Sequence, residues 1–154
     1  MSNQSHRNSL DPLLLERLAE AGFLASECGM HEEAATLFRC MAQLKPGNPS
    51  PLIALAMALA RAGSGEQAIE ELKLVIAQHP DSEMAKAVLG MIMVQRKQSG
   101  ALELFEEVFA SAKDKNAINV ANSCIELARE QNTETKQTAS ESLEFFRHYN
   151  VIRA

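Results

Sequence analysis

The sequence predicts an all-α protein built as a stack of helical hairpins. Three pairs of identical residues lie 34 positions apart in the chain. They are Gly29 and Gly63, Ala34 and Ala68, and Pro46 and Pro80. A fixed interval of this length is typical of helix pairs that repeat and stack on one another. The composition supports the same fold class, because aromatic residues make up only 5% of the chain, Trp is absent, and the helix formers Ala, Leu and Glu are abundant.

The first predicted helix follows a polar leader, residues 1–10, that we expect to be disordered. Asp11 is a good N-terminal cap, and Pro12 suits the first helical position because the N–H that proline lacks would have no partner there. The helix is predicted to run to about Glu27, after which Gly29 forms a short turn. The folded domain is therefore predicted to start at residue 11.

The next three helices complete two hairpins. Helices are predicted at about 31–44, 50–61 and 66–78, with turns that contain glycine or proline between them. The first repeat then covers residues 15–48, and the second repeat covers residues 49–82.

The third unit departs from this pattern. Gly90 matches the first helix of a repeat, but Ala101 and Phe105 arrive one residue early, the turn glycine is absent, and Lys113 stands where proline is expected. We therefore predict a shortened third repeat over residues 83–114.

The C-terminal part is predicted to form a degenerate helix pair over about residues 116–149. Apolar residues recur at helical spacing on both sides of the polar segment 131–136, which is predicted to be the loop. The last unit of a solenoid needs one face that does not pack on a further repeat, so a degenerate pair is expected there. Together these elements predict one domain over residues 11–149.

Residues 15–114 resemble the tetratricopeptide repeat, a family of right-handed solenoids of helical hairpins that bind other proteins. In that family a small residue in the first helix lets the second helix approach closely, and large apolar residues fill the space between helices. The resemblance implies that Gly22 and Ala56 are the small residues of the first helices, and that Ala34 and Ala68 allow the same close approach from the second helices. The large residues it implies are Leu18, Phe38, Leu55 and Leu72.

The resemblance also implies a concave groove lined by the first helix of each repeat. Carried over by repeat position, the groove positions hold Glu16, Ala19, Phe23, Ser26, Ser50, Ile53, Met57, Ala60, Met84, Ala87, Met91 and Val94. Most of them are apolar, and the partner-binding set predicted from them is Ala19, Phe23, Ile53, Met57, Met84, Ala87, Met91 and Val94. The flexible side chain of methionine suits a groove that accepts partners of varied shape. The implied partner is an amphipathic helix or an extended apolar segment of a protein.

Two alternatives remain open for this groove. Methionine at helical spacing is also common as core filling, so Met57 and Met91 have an ordinary structural interpretation. A large bare apolar surface also needs a cover, which a partner, a second copy of the chain, or its own C-terminal helix with Phe145, Phe146 and Tyr149 would supply.

The residues at the groove positions exclude one subgroup of the family. Members that bind the C-terminal carboxylate of heat-shock chaperones use Lys, Arg and Asn there, because charge-assisted hydrogen bonds hold carboxylates. The corresponding positions hold Ala19, Phe23, Ala54, Met84 and Val88. None of these side chains can form such a clamp.

Charge and hydropathy narrow the class of partner. The net charge of −5 and the pI near 5.4 argue against nucleic acid, which needs clustered Lys and Arg. The longest apolar run, 52–60, is about half of the roughly 20 residues that span a bilayer, and residues 1–10 lack the apolar stretch of a secretory signal. We therefore expect a protein that does not insert into membranes. The three cysteines form no CxxC pair, which favours the reducing cytoplasm as its location.

No residue pattern predicts catalysis, a cofactor or a metal ion. His31, Glu32 and Glu33 are adjacent on a helix and so face different directions, which makes a cap or a solvated turn the simpler interpretation. Segment 62–66 has two glycines but lacks the Lys and the preceding strand of a phosphate-binding loop. We therefore expect a protein that is not an enzyme and needs no cofactor.

The size, acidic charge, short repeat array and apolar groove are similar to those of the small tetratricopeptide-repeat chaperones of bacterial type III secretion. That resemblance implies a chaperone that shields an apolar or amphipathic helical segment of a secreted subunit, with a co-chaperone or a homo- or hetero-dimer as further partners. The alternative is a general tetratricopeptide-repeat adaptor in another bacterial complex, with its groove filled by its own C-terminal helix.

Overall fold

The computed structural model describes residues 11–111 and 113–152, with side chains up to residue 138. Within these residues the chain forms seven α-helices and no strand. The helices are α1 (Pro12–Glu27), α2 (His31–Leu44), α3 (Ser50–Arg61), α4 (Gly65–Gln78), α5 (Glu83–Gln95), α6 (Ala101–Ser111) and α7 (Lys115–Ile152). The predicted all-α fold class is confirmed, while the predicted leader, residues 1–10, lies outside the described residues.

The chain divides into two compact units, Met1–Ala85 and Lys86–Ala154. The boundary between them falls inside α5. The single domain predicted over residues 11–149 stays a prediction.

The first unit contains the first two predicted hairpins. Helix α1 packs against α2, and α3 packs against α4, while α1 and α2 both also pack against α3. The four helices begin and end at the predicted residues, except that α4 begins at Gly65 rather than at Glu66. The predicted order of two consecutive hairpins is therefore confirmed.

Helix α1 begins with the cap that the sequence predicts. The Oδ1 atom of Asp11 accepts a hydrogen bond of 3.0 Å from the backbone N–H of Leu13, and Pro12 occupies the start of the helix. A side-chain cap of this kind typically stabilises a helix by about 1 kcal/mol.

The first two hairpins use the same turn after their first helix. The backbone N–H of Met30 donates to the carbonyl oxygen of Ala25, and the turn residue Gly29 has a φ of 81°. The turn after α3 repeats this geometry, with Gly63 at a φ of 86°. Both are Schellman turns, in which one residue with a left-handed backbone leads the chain out of the helix.

The size of facing residues is matched inside the hairpins of the first unit. Gly22 of α1 lies against the ring of Phe38 in α2, and a Cβ atom at Gly22 would come within 2.8 Å of two ring carbons. In the second hairpin the same repeat positions hold Ala56 and Leu72, which are both fully buried. A larger side chain on the second helix is therefore accompanied by a smaller one on the first.

The second unit uses the same matching of large and small side chains. A Cβ atom at Gly90 of α5 would come within 2.9 Å of the ring carbon Cζ of Phe105 in α6, whose side chain is fully buried. The Nζ atom of Lys86 lies 2.7 Å from the Oε2 atom of Glu107, so an ion pair also joins α5 to α6. Phe105 stands one residue earlier than the repeat pattern predicts, but its ring still packs against Gly90 of α5.

Helix α7 corrects one part of the sequence prediction. Residues 131–136 were predicted to be a loop, but α7 continues through them without a break, and that prediction is wrong. The hydroxyls of Thr133 and Thr135 donate to the carbonyl oxygens of Arg129 and Gln131, at 3.0 and 2.9 Å. The polar side chains are thus satisfied within the helix, and the sequence of α7 contains no Gly or Pro to end it.

One side-chain contact joins α7 to α5. The Nε2 atom of Gln131 donates a hydrogen bond of 2.9 Å to the carbonyl oxygen of Val94, and α7 also packs against α6. Residues 133–138 beyond this contact are exposed. The side chains of Phe145, Phe146 and Tyr149, which the sequence suggested as a cover for the groove, lie outside the described residues.

Candidate functional site

The eight residues predicted to line a groove differ in how far they reach the solvent. The accessible ones are Ala19, Phe23, Met57, Met84 and Met91. The buried ones are Ile53, Ala87 and Val94, which are 6%, 0% and 4% exposed. The accessible part of the predicted set is therefore one aromatic ring, three methionines and one alanine.

Phe23 is the most exposed of these side chains. Its ring is 45% exposed on α1, and its centre lies 5.1 Å from the centre of the Phe38 ring, with the two planes tilted by 58°. Phe38 is itself 1% exposed. Aromatic pairs favour tilted contacts of this kind, so one side of the Phe23 ring packs on the core while the rest faces the solvent.

The neighbouring helix α3 adds an uncharged face. Its sequence holds no charged residue from Ser50 to Ala60, and Met57 is half-buried there. Because α1 packs against α3, the accessible residues of the two helices belong to adjoining elements. Ala19, Phe23 and Met57 are referred to as the α1–α3 surface.

The remaining accessible methionines lie on α5. Met84 is half-buried at the end of the first unit, and Met91 is half-buried in the second unit. Their neighbours Ala87 and Val94 are in the core. Helix α5 therefore offers Met91 alone as the accessible member of the predicted set in the second unit.

A second apolar stripe on α1 was not predicted. Leu13, Leu14 and Leu24 are 53%, 47% and 63% exposed. Leu13 and Leu24 are eleven residues apart, which is close to three helical turns, so they share one face. The sequence signal was present in that spacing, but the repeat pattern assigns no role to the face.

A shallow cleft in the first unit was not predicted either. It has a volume of about 330 Å³ and lies among α2, α3 and α4. Its lining consists of Arg39, Ala42, Gln43, Leu52, Leu55 and Glu71. The cleft has an apolar floor, with one basic and one acidic side chain beside it.

The described residues show no arrangement for metal chemistry. No group of three or more His, Cys, Asp or Glu side chains among them could hold a metal ion. Cys28 and Cys40 are exposed thiols, Cys124 is a half-buried thiol, and none of the three is in a disulfide. His31 is the first residue of α2 and half-buried, with its Nδ1 atom buried and without a hydrogen-bond partner.

The described helices were also compared with the length and hydropathy that a bilayer requires. None of them combines enough length with enough apolar character to cross a membrane.

Comparisons with known proteins place the fold. Residues 27–92 match the tetratricopeptide repeat family, and no curated protein sequence matches the chain. The structure of PcrH from Pseudomonas aeruginosa superposes with a TM-score of 0.67 at 17% identity, over 83% of this chain and 98% of PcrH. A chain of a T3SS complex from Aeromonas hydrophila gives a TM-score of 0.61 at 19% identity, over 82% of this chain and 85% of that one.

These comparisons agree with the fold described above. The matched segment 27–92 runs from the end of α1 into α5, and so includes the second hairpin entirely. The tetratricopeptide-repeat fold is therefore confirmed, as is the resemblance in fold to PcrH and to a chain of a T3SS complex.

Proposed function

Because residues 27–92 match the tetratricopeptide repeat family, we propose that this chain is a protein-binding chaperone that holds an apolar or amphipathic helical segment of a secreted subunit. The observation that carries the proposal is the α1–α3 surface, where Phe23 keeps 45% of its side chain exposed. A structured domain that leaves an aromatic ring uncovered beside an uncharged helix face has a surface suited to another polypeptide. The proposed activity is binding, with no catalytic step.

Burial of Phe23 would supply part of the binding free energy. A phenylalanine side chain has roughly 200 Å² of surface, so covering its exposed part removes about 90 Å² from water. At about 25 cal/mol per Å² this corresponds to about 2 kcal/mol. The contact with Phe38 favours one orientation of the ring before a partner arrives, which would lower the entropic cost of binding.

Met57 would adapt the α1–α3 surface to its cargo. It is half-buried on α3, and its side chain has several rotatable bonds and a polarisable sulfur. Such a side chain repacks around apolar groups of different shapes at small cost. We expect it to broaden the range of segments that bind beside Phe23.

The setting proposed for this activity is bacterial type III secretion. The support is the fold, which resembles that of PcrH and of a chain in a T3SS complex. A chaperone of this kind would hold its cargo in the cytoplasm before export, alone, as a dimer, or with a co-chaperone. The groove residues predicted from the sequence would make the contact. The accessible ones among them would contribute most.

A second candidate is a general adaptor whose groove is filled by its own C-terminal helix. Helix α7 is 38 residues long and helical up to Ile152, and residues 133–138 are exposed. A helix of this length could cover apolar groups of another helix. The two candidates differ in whether the α1–α3 surface is available to another chain.

The test uses a synthetic amphipathic peptide of about four helical turns, with Leu on one face and uncharged Gln on the other. Its affinity is measured by fluorescence anisotropy for the whole protein and for Met57→Glu. We expect the variant to bind at least about tenfold more weakly, because a charge buried without a partner is costly. Its helical circular dichroism should be unchanged, since Met57 reaches the solvent.

The matched control is Leu74→Glu. Leu74 lies on α4 of the same unit and is 58% exposed, so this variant has the same change of charge outside the α1–α3 surface and should bind like the wild type. If Met57→Glu unfolds the protein, the methionine is core filling and the adaptor candidate is favoured. If the wild type does not bind the peptide at all, the chaperone proposal is wrong.

A further inference from the structure

We infer that the α1–α3 surface selects segments in which Lys or Arg lies next to the apolar residue that covers Phe23. This inference rests on the proposed function and adds the charge of the partner to it. It comes from the residues that surround Phe23 on α1, from the lack of charge on α3, and from the distribution of charge between the two units.

Three glutamates share the face of α1 that carries Phe23. Glu16, Glu20 and Glu27 are seven and three residues before Phe23 and four residues after it, which are the spacings that place side chains on the same side of a helix. All three are exposed. The ring of Phe23 is therefore flanked by carboxylates along the helix in both directions.

Two of these carboxylates have no basic partner in the part of the chain that the structure describes. Glu20 forms an ion pair with Arg17, with 2.8 Å between its Oε2 atom and the Nη1 atom of Arg17. Glu16 and Glu27 have no ion pair or hydrogen bond among the residues that the structure describes. A partner with a cation within one helical turn of its apolar group would meet a free carboxylate on either side of Phe23.

Helix α3 supplies no charge of its own along most of its length. From Ser50 to Ala60 its residues are uncharged, and its only basic residue is Arg61 at its end. A bound segment would therefore place its apolar side towards α3 and its charged side towards the edge of α1. Because Arg17 on α1 is paired with Glu20, Glu16 and Glu27 determine the sign of charge that the surface prefers.

The net charge of the first unit is also negative. Residues 11–85 contain eleven acidic and five basic residues, whereas residues 86–154 contain nine of each. The net negative charge of the chain thus lies in the unit that carries the α1–α3 surface. A negative potential over this unit would attract a basic segment from a distance and repel an acidic one.

Exposed charges of this kind affect selectivity and association rate more than final affinity. A single exposed ion pair contributes little, and its effect falls as salt is added. We therefore expect the preference to show as a difference between two peptides that have the same apolar face. We also expect that difference to shrink at high ionic strength.

The test compares two versions of the peptide used above, one with Lys and one with Glu at the positions that border its Leu face. Affinities are measured at low salt and at about 0.5 M salt, where the Debye length is only a few Å. We expect the Lys peptide to bind about tenfold more tightly than the Glu peptide at low salt, and the gap to narrow at high salt.

Two double variants locate the effect. In Glu16→Gln with Glu27→Gln, the low-salt gap between the peptides should fall by about three- to tenfold. Glu106→Gln with Glu130→Gln removes the same charge from exposed residues of the second unit and should leave most of the gap in place. Neither pair lies in the core, so circular dichroism should be unchanged.

Each outcome bears on a different claim. If the uncharged, Lys and Glu peptides all bind equally well and all need Met57, the chaperone proposal stands and the charge inference is overturned. The inference is also overturned if both double variants reduce the gap equally, since only the overall charge of the protein then matters. If none of the three peptides binds, the proposed function itself fails.

Discussion

The second and third hairpins reach the same turn with different residues. After α3 the turn residue is Gly63 with a φ of 86°, and after α5 it is Lys97 with a φ of 54°. In the latter the backbone N–H of Gln98 donates to the carbonyl oxygen of Met93, as in a Schellman turn. A left-handed backbone costs a residue other than glycine roughly 1–2 kcal/mol. The geometry of the hairpin therefore prevails over the local preference of the residue.

The cores of the same two hairpins differ in a complementary way. The second hairpin has Ala56 and Leu72 at the positions where the third has Gly90 and Phe105, and all the large side chains are fully buried. The third hairpin thus combines a less favourable turn residue with a larger side chain in its core. The larger Phe105 is accompanied by the smaller Gly90 on the facing helix.

The largest effect is expected from Gly90→Ala. The new Cβ atom would come within 2.9 Å of the Cζ atom of the buried Phe105 ring, and overpacking of this kind typically costs about 1–3 kcal/mol. The better helix propensity of alanine offsets up to about 1 kcal/mol of that cost. We expect a net loss of about 1–2 kcal/mol of unfolding free energy, measured by urea denaturation.

The double variant Gly90→Ala with Phe105→Leu sharpens the same comparison. It gives the third hairpin the residue pair of the second, so the two changes should cost less together than the sum of their separate costs. A coupling energy of at least about 0.5 kcal/mol is expected. Simple additivity of the two costs would show that the glycine is not needed to accommodate the ring.

The next effect is expected from Gly63→Ala in the second hairpin. No atom lies within 4 Å of the position of the added Cβ, so the change introduces backbone strain without a clash. We expect a loss of about 1 kcal/mol, measured by the midpoint of urea denaturation. Unchanged stability would mean that the turn can adopt another conformation.

The reverse change, Lys97→Gly, should stabilise the third hairpin. Glycine adopts the observed φ of 54° without strain, and we expect a gain of about 0.5–1 kcal/mol after the larger entropy of the unfolded glycine is subtracted. Thermal unfolding of Lys97→Gly and Lys97→Ala provides the test. The alanine variant keeps the strain and should not be stabilised.

The smallest effect is expected from Lys86→Met, which removes the ion pair between α5 and α6. The side chain of Lys86 is 21% exposed and that of Glu107 is 57% exposed, so solvent screens the pair. We expect a loss of about 0.5 kcal/mol at low salt, and a smaller loss in 0.5 M NaCl. An equal loss at both salt concentrations would indicate lost packing of the lysine stem instead.

Much of the fold could be predicted because its turns and caps depend on single residues. Asp11 with Pro12 and the glycines at positions 29 and 63 indicated helix ends that the structure has at nearly the same residues. The turn after α5 was not predicted, because its left-handed residue is Lys97, and a lysine gives no sequence signal for a left-handed backbone. The interval from Gly63 to Lys97 is nevertheless 34 residues, so the missing position lies between Lys97 and Ala101.

The loop predicted at residues 131–136 failed for a physical reason that composition does not show. A run of polar residues predicts a break in a helix, but Thr133 and Thr135 form hydrogen bonds to carbonyl oxygens of their own helix. Gln131 also contacts the carbonyl oxygen of Val94, 37 residues away in the chain. Periodicity alone could not anticipate that contact.

The groove itself stays a prediction, and the structure adds only how exposed its predicted residues are. Repeat position predicted a face of each first helix, and Phe23 on that face has a ring that is 45% exposed. It could not distinguish Met57, which reaches the solvent, from Ile53 one turn earlier, which is 6% exposed. Burial depends on the neighbouring helices, which a single repeat unit does not specify.

The exposed ring of Phe23 also makes the protein convenient for optical spectroscopy. The sequence contains no Trp, and its single Tyr is at position 149, so the natural chain has little near-ultraviolet fluorescence. A Phe23→Trp substitution would place the only indole at the α1–α3 surface, against the Phe38 ring. Its emission would then report the arrival of a cargo segment directly, without a label on either molecule.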